Sequence, residues 1–272
     1  MNIQKVLEDI EKFDPEVYQR LGSRRTALSS VGKIGMKTAL AAVPLALGSM
    51  FNKAYGKGMA HEQIVEVLNF ALTLEYLEFE FYDRALSSSG LVTGRNRRAI
   101  EIIRKHEMQH VEFLRKTIMA LGGTPVAKPM FDFTAGGRFP DWNTNEDTFY
   151  AIAQALEDTG VRAYKGQAPN LMSNDAVLTA ALQIHSVEAR HAAKIRLIRG
   201  QKGWITLDGP DGLPPMAANL VYEGEANTTH LGINLMTHPK TMRYSKESIT
   251  QAFDEPLSKE QVLTIGGFFI VS

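Results

Sequence analysis

Glu107-Met108-Gln109-His110 and Glu188-Ala189-Arg190-His191 are two copies of one pattern, a glutamate followed three residues later by a histidine. Each copy has a glutamate upstream at nearly the same distance, since Glu75 precedes Glu107 by 32 residues and Glu157 precedes Glu188 by 31. A tyrosine follows each upstream glutamate at the same offset, as Tyr82 and Tyr164. On an α-helix, positions i and i+3 share a face, so each Glu-x-x-His helix can aim a carboxylate oxygen and an imidazole nitrogen at one point. Two such helices, with one inward glutamate from each of two others, offer six side chains to two metal ions inside a four-helix bundle. The spacing therefore predicts an all-α fold. Glu75, Glu107, His110, Glu157, Glu188 and His191 are its candidate metal ligands.

The surrounding sequence supplies the four helices. From His61 to Ser87, Ile64, Val67, Leu68, Ala71, Leu72, Leu74, Tyr76 and Phe79 recur at helical spacing. Ser87-Ser88-Ser89-Gly90 ends that helix, and Arg95 to Leu121 forms a second, stopped by Gly122-Gly123 and Pro125. A link this short makes the two antiparallel neighbours. Asn145 to Gln167 and Asn174 to Arg199 read as the third and fourth helices. Between the pairs, Gly123 to Asn143 carries Pro125, Pro129, Gly136, Gly137 and Pro140 and has no helical period. Some 20 extended residues reach roughly 65 Å, against about 37 Å for a 25-residue helix. The segment can thus run back along the whole bundle as one long crossover.

On this reading residues 61–200 form the bundle, 1–60 an N-terminal segment and 201–272 an irregular C-terminal extension. In that extension Leu257 to Phe269 reads as a short helix covering the bundle or a dimer seam. Composition narrows the chemistry. Lys plus Arg and Asp plus Glu are both 30, so nothing points to nucleic acid. Cysteine is absent, which removes disulfides, zinc-thiolate and iron-sulfur sites and leaves metals to carboxylate and imidazole ligands.

The N-terminal segment has two readings. Ser23-Arg24-Arg25-Thr26-Ala27-Leu28, followed by apolar residues from Thr38 to Phe51, resembles a twin-arginine export signal and implies a periplasmic protein. Fourteen residues with Pro44 inside are too short for a stable membrane span. Alternatively Ile3 to Tyr18 and Lys37 to Phe51 form amphipathic helices retained on a cytoplasmic protein.

The chain resembles the ferritin-like superfamily over His61 to Gly200, specifically bacterial ferritin-like domain proteins related to plant desiccation-related proteins. Leu68-Asn69-Phe70-Ala71-Leu72-Thr73-Leu74-Glu75, with Tyr82 seven residues on, is similar to the first helix of bacterioferritins. The resemblance implies two iron or two manganese ions per subunit, with Glu107 and Glu188 bridging them. Glu75 and His110 would complete one ion, and Glu157 and His191 the other. It also implies a homodimer rather than a 24-subunit cage, which would have to accommodate both appended segments.

Charge supports the same ligand set independently. Two divalent cations balance four carboxylates, whereas the same four carboxylates alone repel one another and must take up protons. Some assignments stay open in the sequence. Glu78 competes with Glu75 for the first ligand position. Tyr82 and Tyr164 either serve the ligands, by hydrogen bonding or electron supply, or simply pack. His185, three residues before Glu188, either relays protons to the ligands or makes an ordinary polar contact, and His106 is equally open. His61, His230 and His238 fall outside the pattern. Functionally, the set fits Fe²⁺ oxidation by O₂ or peroxide, or peroxide removal in a stress-protective setting, with a manganese catalase as the same-class rival. A structural, partner-binding protein with a stabilising metal site is the non-catalytic alternative.

Overall fold

The computed structural model describes residues 59–209 and 212–271. The twin-arginine motif and the two helices expected before residue 52 lie outside the described residues.

Four long helices carry the structure: α1 (Met59–Ser87), α2 (Gly94–Ala120), α3 (Glu146–Gln167) and α4 (Asp175–Ile198). Their ends follow local chemistry. The Asn145 side chain accepts from the backbone N–H groups of Asp147 and Thr148 at the start of α3, and Asn174 accepts from Val177 N–H at the start of α4. Past α2, Gly122 takes a left-handed φ of 76°, and the Gly123 N–H closes on the Ile118 carbonyl at 2.9 Å. Helix α1 packs on α2 and α3 on α4, while α1 with α3 and α2 with α4 complete the bundle. Among the described residues no helix is long and apolar enough to cross a membrane.

The crossover is anchored rather than loose. Its Met130–Phe131 strand, β1, pairs antiparallel with the Ile270–Val271 strand at the other end of the chain, β4. Phe133 and Trp142 pack on each other and on Phe81 of α1, which itself stacks on Phe149 of α3, with ring centroids 5.1–5.7 Å apart.

The C-terminal extension contributes to the bundle's own core. It holds α5 (Pro215–Val221), a hairpin of β2 (Thr229–His230) and β3 (Ile233–Asn234), α6 (Lys246–Thr250) and α7 (Lys259–Gly266). Ile205, Leu213, Val221, Tyr222, Leu257 and Val262 are buried against Phe70 and Leu74 of α1 and Ala163 of α3. This explains why α1 is apolar almost all round in its middle, since helices that are hydrophobic on every side are covered on every side.

Two buried arginines clamp the extension. Arg162 of α3 pairs with Glu225 at 2.8 Å and donates to the carbonyls of Val221, Glu223 and Glu255. Arg196 of α4 pairs with Asp158 at 2.6 Å, and the Tyr222 hydroxyl donates to the same Asp158 carboxylate. At Gly166 a Cβ would lie 2.0 Å from the Leu257 carbonyl, so only glycine allows this approach.

Candidate metal centre

Glu75, Glu107, Glu157 and Glu188 are fully buried at the bundle centre, and His110 and His191 nearly so. Burial follows from the apolar residues beside them on each helix, Leu72, Leu74, Ile103, Leu156 and Ile184 all being buried. All six candidate ligands come together, in two sets of four: Glu75, Glu107, His110 and Glu188, and Glu107, Glu157, Glu188 and His191. Within each set the donor atoms lie within 4.8 Å of one another.

Distances show how the two sets share their members. His110 Nδ1 is 3.1 Å from Glu75 Oε2, Glu107 Oε2 and Glu188 Oε1 alike. His191 Nδ1 is 2.8 Å from Glu107 Oε1, 3.5 Å from Glu157 Oε2 and 3.6 Å from Glu188 Oε2. Glu107 and Glu188 therefore present one oxygen to each histidine, while Glu75 and Glu157 each serve a single set.

Two observations fit cations at these points. One ring nitrogen carries at most one proton, so His110 Nδ1 cannot donate to three equidistant oxygens. Across the two sets, Glu107 Oε1, Glu157 Oε2, both Glu188 oxygens and His191 Nδ1 are buried without a hydrogen-bond partner. His191 Nδ1 and Glu107 Oε1 are 2.8 Å apart yet make no hydrogen bond with each other. Orphaned buried polar atoms are costly, and a cation removes that cost.

Protonation follows the same logic. Burial first, and then the charge of Glu188, push Glu107 up to about 8. Burial likewise pushes Glu157 up to about 7, against the pull of His191. For Glu188 burial is outweighed by the two facing imidazoles, which hold it at about 2. The imidazoles of His110 and His191 are driven up by the surrounding carboxylates despite their burial. Without cations the cluster must hold protons, and those are the protons that metal binding displaces.

The remaining side chains of the site separate into those that reach the ligands and those that do not. The Tyr82 hydroxyl donates to Glu157 Oε1 at 2.5 Å, and Tyr164 donates to Glu75 Oε1, so each tyrosine orients the other half's glutamate. Burial holds both phenols well above their ordinary value, which keeps them protonated donors. His106 Nδ1 lies 3.0 Å from His191 Nε2 with the rings stacked, fixing the distal side of that ligand. His185 instead contacts the Val161 carbonyl at 3.0 Å and takes no part. Of the two rivals for the first position, Glu75 enters the cluster. Glu78 is also buried but lies outside both sets, and Gly160 makes room for it, since a Cβ there would be 3.1 Å from its Oε1.

The role of His106 was open in the sequence because no spacing marks it. One residue before Glu107, it is rotated about 100° from the inward face, toward α4. The cross-pairing of the tyrosines was also hidden, since equal offsets do not say which glutamate each one meets.

The family model of the ferritin-like domain matches residues 63–201, and this chain belongs to that family. No curated protein matches it. The match covers the four long helices and ends where the C-terminal extension begins.

Proposed function

We propose that this protein is a di-metal carboxylate oxidoreductase, holding two iron or two manganese ions and reacting with peroxide or O₂. The single observation that carries the reading is the shared pair Glu107 and Glu188, each with one oxygen toward either histidine. Oxygen-rich sites with two imidazoles suit iron and manganese. Glu107 and Glu188 would bridge, Glu75 and His110 would complete one ion, and Glu157 and His191 the other. When bound, such a pair supplies two electrons in one place, the number that hydrogen peroxide takes up with two protons to become water.

The chain's own residues supply the rest. Tyr82 and Tyr164 fix the terminal glutamates, and His106 fixes the ring of His191. Leu72, Ile103 and Leu156 exclude bulk water, strengthening every charge interaction at the centre. A small open cavity of about 190 Å³ between α2 and α4 is lined by His110, Phe113, Ala180, Gln183, Ile184 and Val187. Its apolar wall suits a small neutral oxidant, and an opening onto a ligand favours a reactive site over a purely structural one.

The test is to load the protein anaerobically with Fe²⁺ and add hydrogen peroxide, then O₂, following the near-ultraviolet spectrum and peroxide loss. Loss of peroxide with a spectral change that Glu107→Ala abolishes supports the reading. Metal held tightly with no response to either oxidant would make the site structural and refute it.

A further inference from the structure

The crossover and the C-terminal extension line a second, partly open cavity, on a side of α3 turned away from Glu157. Its volume is about 380 Å³, within the roughly 300–1,000 Å³ of small-molecule sites. Three alanines line it, Ala151 and Ala155 one turn apart on α3 and Ala217 on α5. They stand at the edge of a packed cluster where larger apolar side chains would fill the space. Phe139 and Ile265 add apolar wall, and Arg138 is the charged residue of the lining.

Arg138 is exposed at the rim and oriented by two contacts. Its Nη1 donates to the Ala135 carbonyl at 2.8 Å, and the guanidinium sits 5.1 Å from the Phe268 ring centroid. The turn that carries it is tied by Asp132, whose carboxylate accepts from Thr134 N–H at 2.9 Å and Gly136 N–H at 3.0 Å. Ala135, Gly136 and Gly137 all take left-handed φ there. One of the five donors of the fork is used, which leaves others for an acid.

We propose that this cavity binds an amphipathic carboxylate of the medium-chain fatty acid class, its chain between α3 and α5 and its carboxylate on Arg138. The apolar wall recognises the chain, and the oriented cation at the rim recognises the charge. The site is independent of the metal centre and of the reaction there.

Calorimetric titration of the full-length protein with decanoate, beside its neutral methyl ester, tests this. Decanoate should bind saturably, and Arg138→Gln should weaken it about fivefold, the scale of a rim ion pair, while leaving the ester unchanged. Ala155→Phe should abolish binding of both with metal content unaltered. If that variant folds poorly, Ala151→Leu tests the same space. Absence of saturable binding, indifference of decanoate to Arg138→Gln, or binding that survives a filled cavity would each overturn the proposal. So would a filled-cavity variant that halves the native particle size when decanoate does not bind, because the cavity would then be a seam between copies.

Discussion

Replacing Glu107 with Gln should stabilise the metal-free protein and destabilise the metal-loaded one. Glu107 is fully buried, and its carboxyl is pushed from 4.5 up to about 8. A carboxyl with a raised folded-state value keeps a proton that the unfolded chain releases, so the penalty begins above 4.5 and grows until about 8. At pH 7, roughly 2.5 pH units above 4.5, the penalty is at most about 3 kcal/mol. Relaxation around the site reduces this, leaving about 2 kcal/mol, or some 4–8 °C in a domain of this size. Glutamine mimics the protonated acid and removes that penalty. With cations present the sign reverses, because ligands that bind only the folded state add about 4 kcal/mol at a thousandfold excess over Kd, and the variant forfeits this. The assay is differential scanning calorimetry of wild type and variant, with chelator and with Mn²⁺, at pH 5 and pH 7. The variant's metal-free advantage should nearly vanish at pH 5. A metal-free variant less stable than wild type at pH 7 would refute the reasoning, since Glu107 would then be ionised and well compensated.

Other outcomes follow from the same geometry. Tyr82→Phe removes the donor to Glu157 Oε1 and should weaken binding of one of two metals about tenfold, seen as a split in a stepwise Mn²⁺ titration. Metal affinity should rise with pH by roughly tenfold per unit for each proton displaced, most steeply below about 8, because Glu107 and Glu157 release theirs near 8 and 7 while the raised imidazoles of His110 and His191 still hold protons above that; competition with a chelator of known affinity measures the slope. Arg162→Met strips the cationic partner from the buried Glu225, leaving it the Glu255 N–H, and should cost about 3–5 kcal/mol. Adding Glu225→Gln should recover much of that loss, and limited proteolysis should cut the single variant first after residue 221.

The bundle was legible because three signals agree: helical period, glycine stops, and ligand spacing. Predicted ends at Ser87, Gln167 and near Arg199 match the observed α1, α3 and α4. Glu107, His110, Glu188 and His191 were legible because i and i+3 positions on one helix must share a face, and Glu75 and Glu157 because each stands at nearly the same distance upstream. The extension was harder to read. Residues 201–272 lack a period of their own because they complete another core, with Arg162 and Arg196 of the bundle bonded to Val221 and Tyr222, 59 and 26 residues further along the chain. Short, turn-rich segments that dock on a pre-existing face leave no periodic trace. Glu78 is buried on the same helix as Glu75, and it is the contact of Glu75 with His110 on α2 that separates the two rivals in the structure.

The central claim is that the six side chains form one centre for two metal ions. It is tested most directly by elemental analysis of tag-free protein purified without chelator, beside Glu107→Ala. About two iron or manganese ions per subunit in the wild type, and none in the variant, is the predicted result. A wild type that takes up neither metal, even after anaerobic addition of Fe²⁺ or Mn²⁺, would contradict it.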